Sequence, residues 1–140
     1  MVRTSAIFPT LRYENPAAAI DWLTRTLGFR KHFVAEEGGV VVHAQMGMGD
    51  QLLFLGPDRA DDVYGMHSPR KFSGTSQCVC IAVEDVDALA ARVRAAGGEM
   101  IAEPHDTPYG AREFSCRDPE GHVWAIGNYW GEATPNKGQS

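Results

Sequence analysis

Few side chains in this 140-residue sequence can do chemistry: five histidines, three cysteines and some arginines near strand-like runs. His43 and Gln45 stand two apart in Val40-Val41-Val42-His43-Ala44-Gln45. Strand alternation puts both on one face, where they can hydrogen-bond a ligand or take a proton from it. The plainer reading of the same pattern is a half-buried, satisfied histidine. Cys78 and Cys80 share that spacing, and side chains so close and parallel cannot bridge each other. With Cys116 the count is odd, so no disulfide framework follows, and all three are expected as small buried thiols. No Lys or His flanks Cys78 to activate it as a nucleophile. His67 and His105 are expected in loops, without a Cys or Glu at zinc-ligand spacing, and His122, beside a turn, as structural. Arg12 and Arg112 lie near strand ends, where each is either a positive rim for an anionic group or a solvated surface charge. The chain has no Gly-x-Ser-x-Gly elbow, Walker loop or dinucleotide fingerprint.

The elements that must position these groups come in duplicate. Residues 11–28, LRYENPAAAIDWLTRTLG, and residues 81–98, IAVEDVDALAARVRAAGG, follow one plan at an offset of 81 − 11 = 70. In each, a strand ends at Glu14 or Glu84, and Asn15 or Asp85 stands where a helix N-cap belongs. Pro16 suits the first helical position. Apolar stripes at Ala19, Ile20, Leu23 and Leu27, and at Val86, Leu89, Val93 and Ala96, predict helices that Gly28 and Gly97-Gly98 stop. Three strand-like runs follow each helix: 30–35, 40–46 and 51–55, then 99–103, 112–117 and 122–129. Each half reads as strand, helix, strand, strand, strand. The expected organisation is one domain, with one module over about 5–57, a linker over 58–75 long enough to cover part of a site, and a second module over about 76–131. The tail from Gly131 is expected to fray, with Glu132 exposed. Neither half can bury both faces of its sheet alone. Side by side they predict an α+β fold: two βαβββ modules in a curved, mixed eight-stranded sheet, helices outside and a cleft within.

Composition narrows the partners. A net charge of −5 argues against nucleic acid. No run is long and apolar enough for a membrane span or a signal peptide, so a soluble cytoplasmic protein is expected.

The segments AAAIDWLTRTLGF, CIAVEDVDALAARVRAAGGE and DTPYGAREFSCRDPEGHVWAIGN resemble the vicinal oxygen chelate superfamily. That group contains glyoxalase I, fosfomycin-modifying enzymes, extradiol dioxygenases and bleomycin-resistance-type binding proteins. The resemblance covers about residues 5–130, and the Asp-Pro-Glu-Gly turn before Trp124 is its most specific part. It implies a divalent metal held by His, Glu or Gln at four positions, which here read Phe8, Phe54, Cys78 and Ala125. One thiol among three residues without donors does not hold a hard ion, so neither metal nor other cofactor is expected. Alternation from those positions predicts a cleft wall of Phe8, Thr10, Leu52, Phe54, Cys78, Cys80, Val123 and Ala125, with His43, Gln45 or Arg112 orienting a ligand. Trp124, of opposite parity to Ala125, is expected in the core. Family likeness also implies a homodimer. Two function classes fit: a metal-independent small-molecule binder of the glyoxalase/bleomycin-resistance type, sequestering an aromatic or planar antibiotic or metabolite, or an enzyme, either metal-independent or glyoxalase-like with its ligands placed elsewhere.

Overall fold

The structure, a computed structural model, describes residue 3 and residues 5–131. The tail expected to fray, including Glu132, therefore lies outside the described residues.

The first module is β1 (Thr10–Tyr13), α1 (Pro16–Trp22), β2 (Arg30–Glu37), β3 (Val40–Met48) and β4 (Gln51–Pro57). The second is β5 (Cys78–Ala82), α2 (Val86–Ala95), β6 (Glu99–Asp106), β7 (Arg112–Arg117) and β8 (Val123–Gly127). The duplicated signals act as expected at the helix ends. Asn15 Oδ1 accepts the Ala18 N–H at 3.1 Å, and Asp85 Oδ1 accepts that of Ala88 at 3.0 Å, each satisfying a donor that the helix leaves free. Gly28 and Gly97 close the helices at φ 85° and 75°, where a side chain is strained.

Helix α1 departs from regular form near its end. Leu23–Leu27 is a π-helical turn, in which the Thr24 hydroxyl donates to the Ile20 carbonyl at 2.7 Å. Such back-bonding competes with the regular ladder. Several strands run further than their apolar pattern, and β6 reaches Asp106. His105, expected in a loop, therefore sits in a strand paired with Glu113.

The strands hydrogen-bond in two groups of four, ordered β1-β4-β3-β2 and β5-β8-β7-β6. In each the first strand runs parallel to the last and the other neighbours are antiparallel. One face of each sheet faces its helix, and these covered faces share one core. Leu11, Tyr13, Leu23 and Leu55 of the first module and Val93, Phe114, Trp124 and Ile126 of the second belong to it. The edge of Phe29 meets Trp124 at 5.8 Å between ring centres, so Trp124 is core, as its parity implies. No helix among the described residues is long and apolar enough to cross a membrane.

The Asp118–Gly121 turn holds the modules together. Asp118 Oδ2 accepts the Tyr13 hydroxyl at 2.6 Å and Trp124 Nε1 at 3.2 Å, while Oδ1 accepts the N–H groups of Glu120 and His122 at 3.0 and 3.1 Å. Glu120 reaches across to the backbone N–H groups of Glu14 and Asn15, at 2.7 and 2.9 Å, and accepts the Ser68 hydroxyl at 2.6 Å. His122 donates from Nε2 to the Arg12 carbonyl at 2.8 Å. Both carboxylates are buried and fully partnered. Burial and the Asp118 charge raise the Tyr13 hydroxyl far above its ordinary pKa, so it remains a donor.

Candidate functional site: two open sheet faces

The faces turned away from the shared core carry the predicted wall. On the first sheet the register Thr10–Phe54–Gln45–Phe33 crosses all four strands. Its side chains and their neighbours form an aromatic ladder. Phe8 stacks on Phe54 with centroids 4.6 Å apart and planes 14° from parallel. His43 meets Phe54 edge-on at 5.4 Å, and Phe33 tilts toward His43 at 6.3 Å. Phe8 and Phe33 are 43% and 51% exposed, so the ladder offers ring faces to solvent over a width of ~14 Å, three strand spacings. Gln45 Nε2 donates to His43 Nε2 at 3.2 Å. With the amide in that orientation Nε2 is the acceptor, the imidazole proton sits on Nδ1, and His43 presents a donor rather than a free base.

The second sheet has the matching register Cys80–Ala125–Ser115–Ala102. Each residue there is short, and the face is a shallow trough. Cys78 and Cys80 lie along its edge with Sγ atoms 3.9 Å apart. Their expected burial does not hold: both are exposed, because β5 is an edge strand and its parity turns them outward. Only Cys116 is buried, and burial followed by the Asp118 charge pushes its thiol up to about 12. The trough is rimmed by Glu113, which faces His105 at 3.5 Å and accepts the Tyr109 hydroxyl at 3.1 Å.

The predicted wall residues Phe8, Thr10, His43, Gln45 and Phe54 thus gather on one face, and Cys78, Cys80 and Ala125 on the other. Arg112 joins neither. It shares the parity of buried Phe114, and its guanidinium grips Asp87 of α2 through Nε at 2.8 Å and Nη2 at 3.0 Å, with Asp106 at 3.0 Å. Arg12 is likewise committed, to Asp62 at 2.5 Å.

The linker is an anchored strap. Asp58 accepts the Ser68 N–H at 2.5 Å and meets His67 Nδ1 at 3.0 Å, while Asp62 takes the N–H groups of Tyr64 and Met66. The Arg12 hydrogen bond, aided by these N–H donors, holds the Asp62 carboxyl at about 2. Between strap and β1 lies an open cleft of about 550 Å³ lined by Thr10, Arg12, His67, Phe72, Gln77 and His122.

The junction residues Asp118 and Glu120 escaped the sequence reading as functional groups. The turn they form is visible in Asp-Pro-Glu-Gly. That Glu120 caps an element 105 residues away is not.

The residues present do not fit a hard divalent ion. Phe8, Phe54 and Ala125 carry no donor atom, and among the described residues no three His, Cys, Asp or Glu side chains converge on one point.

Duplicated βαβββ modules with the specific turn before β8 define a known class, and the chain belongs to the Glyoxalase/Bleomycin resistance protein/Dioxygenase superfamily, whose model matches residues 7–126. It is similar to Mb0911c of Mycobacterium bovis, 27% identical over 124 residues, covering 87% of this chain and 82% of that protein. CFP32 of Mycobacterium bovis is 46% identical over 48 residues, which are 34% of this chain and only 18% of that protein's length. Among solved structures, TioX from Micromonospora sp. ML1 is similar with a TM-score of 0.73 and 29% identity, over 91% of this chain and 100% of that one.

Proposed function

We propose that this chain is a metal-independent small-molecule binding protein that holds an aromatic or planar compound, an antibiotic or a metabolite, in the cytoplasm. The observation that carries this reading is the Phe8–Phe54 stack with His43 edge-on beside it. Exposed ring faces of this kind favour a flat partner, since offset stacking adds ~0.5–1.5 kcal/mol to the gain from burial. His43 and Gln45 supply the few polar contacts that orient such a ligand. A homodimer completes the site: a second copy lays its trough over this copy's ladder, and covering two open apolar faces favours the pairing.

A thermal-shift screen with planar aromatic compounds, followed by calorimetry on any hit, tests the binding. Stabilisation by flat aromatics and none by aliphatic compounds of equal size is expected. Tight one-to-one retention of Zn, Ni, Mn or Fe in purified protein overturns the metal-independent reading. Light scattering that gives the 15.3 kDa monomer mass at every concentration overturns the dimer.

A further inference from the structure

Neither the aromatic ladder nor the junction uses the two exposed thiols of β5. Residues two apart in an extended strand have Cα atoms ~6.6 Å apart, close to the upper limit of ~6.8 Å for disulfide-bonded pairs. Because their Cβ bonds are also parallel, a direct S–S bond requires the strand to bend. A bridging ion does not. Two sulfurs bonded to one metal at ~2.3 Å, with an angle between tetrahedral and trigonal, stand ~3.8–4.0 Å apart. The Sγ atoms of Cys78 and Cys80 are 3.9 Å apart without any such ion.

The surroundings choose the kind of ion. Two thiols are too few and too soft for a hard cation, whereas thiolates select Cu(I). Val123 and Ala125, in register with Cys78 and Cys80, carry no donor atoms and leave the outer side open. Glu113 lies close enough to act electrostatically on Cys80 and adds negative charge. The cation on the same strand as Glu113, Arg112, is held by Asp87 and Asp106. Only Cys78 occupies a position where a ligand of the superfamily's metal is expected, so this donor pair is different in composition and in softness.

We propose that Cys78 and Cys80 form a two-thiolate clamp for a soft monovalent ion of the Cu(I) type, open on one side to a third ligand from solution. Binding replaces two S–H bonds by two S–metal bonds and releases two protons to solvent, with no change of oxidation state. The site stands independently of the aromatic reading.

Reduced protein titrated anaerobically with Cu(I), in competition with bicinchoninate, should take up one equivalent per chain and gain a near-ultraviolet thiolate-to-copper absorption. Cys78→Ser and Cys80→Ser should each weaken binding at least ~100-fold, because a second donor on the same scaffold acts at high effective concentration. Phe54→Ala should bind Cu(I) as the native chain does. Wild-type affinity in either serine variant, or equal competition by Zn(II), overturns the clamp. Loss of Cu(I) binding in Phe54→Ala also overturns it, by placing the ion on the other face.

Discussion

The two open faces share a backbone plan and carry opposite contents. Thr10, Phe54, Gln45 and Phe33 cross one sheet where Cys80, Ala125, Ser115 and Ala102 cross the other. Bulk on the first rungs meets brevity on the second. On the covered sides the modules stay alike, with Leu11 and Tyr13 as buried as Phe114 and Trp124. Duplication therefore constrains the sides that share a core and leaves the uncovered sides free to specialise, one into a stacking surface and one into space.

Severing the junction is the strongest way to break this comparison, because both faces depend on it. Asp118→Ala strands four donors, Tyr13, Trp124 and the N–H groups of Glu120 and His122. Urea denaturation should show a loss of ~3–5 kcal/mol, the usual consequence of breaking a buried charged network. A second, lesser change makes the first face resemble the other. Phe54→Ala removes the ring that contacts both Phe8 and His43. Affinity for a planar aromatic ligand should fall ~10–100-fold by calorimetry, with the melting temperature little changed because Phe54 is only half-buried.

Ala125→Glu instead fills the trough. A carboxylate there must stay unpaired or take up a proton, so binding of a neutral aromatic should weaken ~tenfold for each ~1.4 kcal/mol lost. Unchanged calorimetric affinity with intact circular dichroism would exclude the trough from the site. The smallest effect concerns pH. The folded Asp62 carboxyl, at about 2, lies below its unfolded value of ~3.9. Its contribution is therefore present above pH ~4 and lost as pH falls through 2. Hydrogen exchange in the strap should quicken over that interval, and Asp62→Asn should abolish the change.

Much of the fold was legible because its signals are local. Asn15, Pro16, Gly28, Asp85 and Gly97 mark their helix ends by backbone chemistry that needs no distant partner. The site was legible in part, since parity alone placed Phe8, Phe54, His43 and Gln45 together. It failed where an outcome depended on the neighbouring element. Cys78 and Cys80 look like core thiols until β5 is known to be an edge. Arg112 looks like a rim charge until α2 brings Asp87 to it. The separation of the sheets into two hydrogen-bonded groups of four likewise depends on tertiary contacts that no residue run announces.

The reach of Glu120 to the N–H groups of Glu14 and Asn15 also bears on how the chain is made. During synthesis, these donors at the start of α1 wait for a carboxylate that is polymerised more than a hundred residues later. Contacts of such sequence separation slow folding and tie distant segments into one event. The first half accordingly leaves the ribosome without the cap that completes it, and the chain should fold and unfold as a single cooperative unit.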